Sequence, residues 1–303
     1  MNWKRLLRTT LWTMAATLLL VALILGSGWW YFHPTVQRTN AVHYGKRGDD
    51  TLAFDVLRPA RPNGIGVLLL VSGGWRSGKP GTFAEWIAAP LIRRGYTVFP
   101  IYHVSQPKAT IMEIVEDMHR AVRFVRFHAK EYGVDPQRLG VTGGSAGGHL
   151  SLMLATRGGP GRPEAVDPVD RETSAVQAVA IFYPVTDLLN LGKSTENLGD
   201  GGPPKSFVKG FGPQATNLAV WKLIGRDLSP IYHVTSNLPP VLIYHGSADT
   251  LAPLEQSEWF RDASRKMGRE VTLVVHSGGE HGWLTMPFDL RRFADWFDEK
   301  LKR

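Results

Sequence analysis

Residues 141–150 read VTGGSAGGHL, and this stretch decides how the chain is expected to fold. It contains the pattern G-x-S-x-G, with Ser145 between a run that predicts a strand and a segment that predicts a helix. Small residues are needed beside such a serine, because the turn from strand to helix leaves no room for flanking side chains. The pattern alone also arises by chance in glycine-rich turns. A strand before it and a helix after it favour Ser145 as a nucleophile.

Two polar residues follow predicted strands further along the chain. Asp249 comes after VLIYH (241–245), and His281 comes after VTLVVH (271–276), in a loop rich in glycine. A serine hydroxyl is a weak nucleophile at neutral pH, so it needs a base, and the base needs an acid that orients it. We therefore predict Ser145 as nucleophile, His281 as base and Asp249 as acid.

Each of these residues also has a structural interpretation. Asp249 alone would suit a helix cap, and His281 alone would suit an ordinary loop histidine. The chain order Ser, Asp, His, each beyond a strand end, favours the catalytic interpretation. Asp187 lies in another strand-end loop and is the main rival for the acid. Three other histidines are predicted to be structural: His149, His245 and His276.

Upstream, an apolar run ends shortly before two consecutive glycines, where residues 66–78 read GVLLLVSGGWRSG. A tight turn explains glycine there, because glycine adopts backbone conformations closed to other residues. A chemical explanation is that peptide N–H groups point at a developing negative charge. On that explanation the donors are the N–H groups of Gly73, Gly74 and Ala146, the last directly after Ser145, and Trp75 supports the loop.

Strand-like and helix-like runs alternate from residue 41 onward, which is typical of a mostly parallel sheet covered by helices on both faces. The predicted strands are 51–57, 66–71, 96–102, 138–142, 176–183, 241–245 and 271–276. The predicted helices are 83–94, 111–133, the segment after Ser145, and 291–301. Gly133 is the stop signal of the second of these helices. The segment 190–226 has no clear periodicity, and it suits either a flexible loop or a cap over a pocket.

The N-terminal segment predicts a membrane anchor. Residues 11–32 are uncharged and cover about 33 Å as a helix at about 1.5 Å per residue, enough to cross a bilayer. The cations Lys4, Arg5 and Arg8 precede this span, and aromatic residues 29–32 end it, so the N-terminus is expected in the cytoplasm and the rest outside. The alternative is a signal peptide cleaved near residues 26–28, which would release the protein.

Composition narrows the classes of function. Among its 303 residues the chain has no cysteine, which excludes disulfides and thiolate chemistry. Its net charge of +8 is scattered without a basic run or a nucleic-acid motif, so no nucleic-acid partner is expected. No metal-ligand spacing occurs, and we expect neither a metal nor an organic cofactor.

The chain resembles α/β-hydrolases of the hormone-sensitive-lipase-like and bacterial feruloyl and acetyl xylan esterase-like group. The resemblance runs from about residue 41 to the C-terminus and rests on VTGGSAGGHL (141–150), PPVLIYHGSADTLAP (239–253) and GGEHGW (278–283). It implies the roles given above for Ser145, Asp249 and His281. One departure stands out, because relatives usually have H-G-G-G-W where this chain has Val71 and Ser72 before Gly73.

Two domains are therefore expected: a basic tail and anchor at 1–33, and an α/β-hydrolase domain at 34–303 with a cap insertion around 190–226. The expected function is a serine carboxylic ester hydrolase outside the cytoplasm, periplasmic or at the cell surface. By resemblance its substrate is a small acyl ester, including carbohydrate-linked ones. The alternatives are an amidase or peptidase of the same fold, and a membrane-tethered binding protein whose catalytic site has decayed.

Overall fold

The computed structural model describes residues 3–302, with the side chains of Lys4, Arg5 and Leu6 left outside the description. Of the three predicted N-terminal cations, only the Arg8 side chain therefore lies within the described residues. The helices are α1 (Trp3–Phe32), α2 (Ala89–Ile92), α3 (Ile111–Phe127), α4 (Ala146–Arg157), α5 (Leu218–Asp227), α6 (Glu255–Lys266) and α7 (Met286–Leu301). The strands are β1 (Val36–Arg47), β2 (Asp50–Pro59), β3 (Gly64–Leu70), β4 (Thr97–Ile101), β5 (Val134–Gly144), β6 (Ala178–Phe182), β7 (Val241–Gly246) and β8 (Val271–His276).

All eight of these strands form one sheet in the order β1-β2-β4-β3-β5-β6-β7-β8. β2 pairs antiparallel with β1 and β4, and the remaining pairs are parallel. The mostly parallel sheet is thus confirmed. Since parallel strands present the same end at one edge, the loops after β3, β5, β7 and β8 meet there.

The sheet is buried on both faces, which explains why its central strands are almost continuously apolar. Neighbouring residues of β3 show the alternation: Val67 packs in a cluster with α2 and α7, and Leu68 packs in a cluster with α3 and α4. We call these sides the α7 face and the α4 face. The apolar positions predicted along 111–125 are buried in the α4-face cluster, from Ile111 to Val125.

Several boundaries differ from the sequence expectations. β1 was not predicted, because its alternating exposed residues read as polar sequence, yet it pairs with β2 over most of its length. The predicted helix 83–94 is a 3-10 turn, Glu85–Ala88, followed by the short α2. Pro90 explains the break, because proline lacks an N–H and is tolerated only in the first turn of a helix. The predicted helix 111–133 ends at Phe127, and residues 190–226 contain most of α5.

The N-terminal helix is long and apolar enough to cross a membrane over Leu7–Phe32, by length and composition. Its last turn touches the α7 face of the domain rather than standing apart from it. The guanidinium of Arg93 lies 3.8 Å from the Trp30 ring centroid, and its Nε donates to the Tyr31 carbonyl at 2.6 Å. The end of α1 is thus attached to the segment that follows α2.

Candidate active site

Ser145 lies at the sharp turn between β5 and α4. Its φ of 56° and ψ of −120° place it in the region that L-residues rarely adopt, which is a strained conformation. The flanking glycines make the turn feasible, because a Cβ on Gly143 would lie 2.6 Å from the carbonyl carbon of Gly147. A Cβ on Gly147 would itself lie 2.5 Å from the Leu70 carbonyl oxygen. The turn therefore projects the serine hydroxyl beyond the end of the sheet.

The structure brings the three predicted site residues into one hydrogen-bonded chain. Ser145 Oγ lies 2.8 Å from His281 Nε2. His281 Nδ1 lies 2.7 Å from Asp249 Oδ2, to which it donates. This tautomer leaves Nε2 unprotonated and able to take the serine proton, which is the geometry that general-base activation of a hydroxyl requires.

Asp249 is held ionised by its surroundings. Burial by itself raises the pKa of this carboxyl, but hydrogen bonds from His245, His281 and the Ala252 N–H outweigh burial and bring the pKa well below its ordinary range. Its other oxygen accepts from the N–H groups of Leu251 and Ala252 at 2.9 and 3.0 Å. The carboxylate therefore stays charged and fixed beside His281.

Asp187, the rival acid, is used elsewhere. Its carboxylate accepts from the N–H groups of Leu189 and Asn190 at 2.9 and 3.1 Å, and from the Tyr232 hydroxyl at 3.0 Å. Within the described residues it makes no hydrogen bond or ion pair with His281. The geometry thus pairs the histidine with Asp249, and Asp187 organises the start of the segment that follows β6.

The three histidines predicted to be structural have protein partners. His245 is buried beneath Asp249, where its Nε2 donates to the Ala252 carbonyl at 2.7 Å and lies 3.5 Å from Asp249 Oδ2. His276 stacks on Trp283 with ring centroids 4.8 Å apart. His245 thus packs against Asp249 on its buried side. The position of His245 at a strand end did not indicate this contact.

The glycine loop after β3 faces Ser145, and its two glycines are not equivalent. The Gly73 N–H donates to the Arg76 carbonyl at 2.9 Å, so it is not available to a substrate, contrary to the expectation for this residue. Across the described part of the chain, the N–H groups of Gly74, Trp75 and Ala146 make no hydrogen bond, and all three residues line the cavity at Ser145. Trp75 was not predicted as a donor, since only the fold shows that its N–H is unpaired.

Ser72, at the position where the sequence departs from the H-G-G-G-W pattern, is fixed by two contacts. Its carbonyl accepts from the Gly147 N–H at 3.1 Å, and its hydroxyl lies 2.9 Å from His103 Nε2. His103 Nδ1 donates to the Val104 carbonyl at 2.9 Å, so the neutral ring accepts from the serine hydroxyl. Burial lowers the pKa of His103 to about 4, which keeps the ring neutral at pH 7. A histidine from the end of β4 thus holds this loop.

Trp75 fixes the other end of the loop. Its φ is 55°, and its indole is buried against Phe207 and Phe211, with ring centroids 5.3 and 5.7 Å away. Trp75 Nε1 donates to His149 Nδ1 at 3.1 Å, and His149 Nε2 donates to the Leu228 carbonyl at 2.7 Å. The loop is therefore tied to α4 and to the segment before β7.

A cavity of about 60 Å³ opens at Ser145 and His281, and we call it the first cavity. The segment 190–226 covers one side of it, contributing Leu191, Ser194, Glu196, Pro204 and Phe207 to its walls. The lining also includes Leu251, Ala252 and Pro253, and the Ser194 hydroxyl donates to the Leu251 carbonyl at 2.6 Å. The lining is predominantly apolar, so the site suits an uncharged acyl group. The wall residues from the segment 190–226 carry no sequence motif, and for that reason only the fold identifies them.

Comparison with known proteins matches residues 54–263 to the family described as BD-FAE. Curated relatives from Mycobacterium tuberculosis include the probable carboxylic ester hydrolase LipM, 30% identical over 69% of this chain and 47% of LipM. The esterase LipQ is 31% identical over 80% of this chain and 56% of LipQ. The chain therefore spans about half the length of these relatives.

Solved structures show the same architecture. The Thermogutta terrifontis esterase Est2 with propionate bound has a TM-score of 0.66 at 27% identity, over 88% of this chain and 93% of that one. The acetyl ester-xyloside bifunctional hydrolase from Caldicellulosiruptor lactoaceticus has a TM-score of 0.69 at 24% identity, over 88% and 98%. At this identity the second likeness shows the fold alone.

Proposed function

The chain belongs to the BD-FAE family of α/β-hydrolases, and from this premise we propose that it is a serine carboxylic ester hydrolase acting on small acyl esters outside the cytoplasm. The observation that carries the proposal is the hydrogen-bonded chain Asp249–His281–Ser145, which opens into the first cavity. The curated relatives named as ester hydrolases and the propionate-bound esterase support the reaction and the small acyl group.

In the proposed first half-reaction, Ser145 Oγ attacks the ester carbonyl while its proton passes to His281 Nε2. The carbonyl oxygen becomes an oxyanion that accepts hydrogen bonds from the N–H groups of Gly74 and Ala146, with the Trp75 N–H as the further unpaired donor. The bond from the carbonyl carbon to the alcohol oxygen then breaks, and His281 gives the proton that it took from Ser145 to that oxygen. Asp249 keeps the imidazole in the required tautomer and stabilises its charged form.

In the second half-reaction, water attacks the carbonyl carbon of the acyl group on Ser145 Oγ. His281 takes one proton from the water and gives it to Ser145 Oγ as the bond from that oxygen to the acyl carbon breaks and the acid leaves. The same oxyanion donors act again. Over both half-reactions, water supplies the hydroxyl of the acid and replaces the proton that Ser145 gave to the alcohol, so no other reactant is needed.

For the location, we propose a retained anchor with the domain outside the cytoplasm. The small residues 26–28 lie inside the continuous α1, and the turn beyond them binds Arg93, which supports retention over cleavage. Cations before the span and aromatic residues at its end support the orientation.

Ser145→Ala tests the proposed activity directly. We expect kcat on p-nitrophenyl acetate to fall by roughly six orders of magnitude, as when the serine of a comparable triad is removed. Labelling by a fluorophosphonate probe should disappear with it. Ser236→Ala, at an exposed serine, is the matched control and should label like the wild type. A folded wild-type protein that does not label would refute the enzyme proposal and favour a binding protein.

A further inference from the structure

A second cavity lies on the α7 face, close behind the nucleophile. It has a volume of about 180 Å³ and is lined mainly by apolar side chains, including Trp86, Ile87, Tyr183, Met286, Pro287 and Leu290. It shares no lining residue with the first cavity. The mechanism described above does not use it.

The second cavity borders the reacting groups. Gly144, the residue before Ser145, forms part of its wall. Tyr183 lines it as well, and the Tyr183 ring packs on the His281 imidazole with centroids 4.5 Å apart. The leaving alcohol oxygen must reach His281 Nε2 to be protonated. The Tyr183 ring thus lies between the His281 imidazole and the second cavity.

The other side of this cavity faces the end of α1. The Phe32 ring meets the Trp86 ring edge-on, with centroids 6.5 Å apart. The guanidinium of Arg291, on α7, lies 5.4 Å from the Tyr31 ring centroid. Because Phe32 ends the candidate span, Trp86 and the start of α7 lie at the depth where an anchored chain meets the membrane surface.

The surface around this opening has the composition of a membrane-contacting face. Trp86, Leu284 and Phe288 are 41%, 95% and 59% exposed, a grouping of large apolar side chains that is costly in water. Arg93 and Arg291 contact the aromatic end of α1 beside them. Apolar side chains with arginines at their border complement a bilayer that contains anionic headgroups.

We infer that the second cavity binds the hydrocarbon arm of a membrane-inserted ester, a short-chain acyl ester of a long-chain alcohol. The short acyl group enters the first cavity, and the alcohol arm extends past Tyr183 and Trp86 into the bilayer at the end of α1. This inference rests on the proposed ester hydrolase activity and adds the class of alcohol.

The test compares two acetates that form the same acyl-enzyme, so that only the alcohol arm differs. The full chain is reconstituted in vesicles of phosphatidylcholine and phosphatidylglycerol, and acetate release is measured from water-soluble ethyl acetate and from vesicle-borne hexadecyl acetate. Leu290→Trp fills the second cavity. We expect the ratio of kcat/KM for hexadecyl acetate over ethyl acetate to fall roughly tenfold or more, because several methylenes lose their apolar contacts.

Two further variants make the result decisive. Ile87→Trp fills the same cavity from the 3-10 turn and should lower the ratio in the same way, which covers the case in which Leu290→Trp unfolds. Leu223→Trp, at an exposed leucine of α5, is the matched control and should keep the wild-type ratio.

The outcomes separate the two proposals. A wild-type ratio in folded Leu290→Trp and Ile87→Trp overturns this inference and leaves the ester hydrolase activity standing. Hydrolysis of ethyl acetate with no hydrolysis of hexadecyl acetate by the wild type overturns it as well. Failure of the wild type on both acetates refutes the ester hydrolase proposal, and the inference falls with it.

Discussion

The two loops that converge on Ser145 act through different parts of the chain. The loop at 277–283 presents the His281 side chain, whereas the loop at 71–78 presents backbone N–H groups. Side-chain chemistry requires one residue type, so it leaves a mark in the sequence. Backbone chemistry requires only a conformation, which different residues can secure. Ser72 and His103 secure it here, although the loop departs from the H-G-G-G-W pattern.

The support for the two loops also differs. Asp249 holds His281 through a charged hydrogen bond within the same group of adjoining strand ends. The glycine loop depends on neutral contacts with distant segments, through Ser72 to His103 and through Trp75 to His149. Neutral hydrogen bonds are individually weaker than charge-assisted ones. Loss of the charged bond to His281 therefore removes more stabilisation, and we expect the loop at 277–283 to be more sensitive to single substitutions than the glycine loop. The following experiments measure that difference.

The largest effect is expected from Asp249→Asn. An amide at this position favours the wrong tautomer of His281, and kcat should fall by roughly 10⁴-fold, as in a comparable triad. The matched control is Asp187→Asn, which should keep activity because Asp187 is bonded to Tyr232 instead. Esterase assays and melting curves of both variants separate chemistry from folding. Full activity in Asp249→Asn with loss in Asp187→Asn would reverse the choice of acid.

A smaller effect is expected from Ser72→Ala, which removes the bond to His103 but keeps the Ser72 carbonyl. Loss of a whole oxyanion donor costs roughly 100-fold to 1,000-fold in kcat, so loosening the loop that carries one should cost less, about tenfold. Ser72 acts as a positioning residue, so the loss should appear in kcat rather than KM. Ser72→Thr keeps the hydroxyl and should restore most of the activity. Equal losses in Ala and Thr variants would contradict this role.

The last expected effect is on stability rather than on kcat, and it is a dependence on pH. Burial lowers the pKa of His103 from its ordinary 6.5 to about 4, so between these values the unfolded chain binds a proton that the native chain does not. The free energy of unfolding should therefore decrease as the pH falls through this window, by about 1.4 kcal/mol per pH unit for this histidine. Urea unfolding at several pH values measures the slope, and His103→Gln should flatten it by that amount. A slope unchanged by the substitution would show that His103 is not the group responsible.

Asp249 affects the free energy of unfolding in a different pH range from His103. The pKa of Asp249 lies below its ordinary range, so its stabilising contribution is lost only as the pH falls below about 4. Between pH 6.5 and 4 the free energy of unfolding should therefore fall because of His103, while the contribution of Asp249 persists.

Much of the fold could be predicted from the sequence because the buried strands and α3 carry strong hydrophobic patterns. The runs in β3, β4, β7 and β8 are visible as such. β1 was missed because an exposed edge strand needs few apolar residues, and α2 was overestimated because the apolar pattern does not show the break at Pro90. The individual residues that the segment 190–226 contributes to the wall of the first cavity were beyond prediction, since Glu196 and Phe207 have no local pattern that ties them to Ser145.

By itself the sequence determined the alternation of strands and helices, the glycine turn around Ser145, and the order in which Asp249 and His281 follow it. These depend on local sterics and on apolar periodicity, which neighbouring residues encode. Only the tertiary structure decided that Gly74 rather than Gly73 has a free N–H, that His103 holds Ser72, and that a second cavity lies between His281 and the end of α1. Those features arise where distant segments meet, and such contacts depend on packing rather than on adjacent sequence.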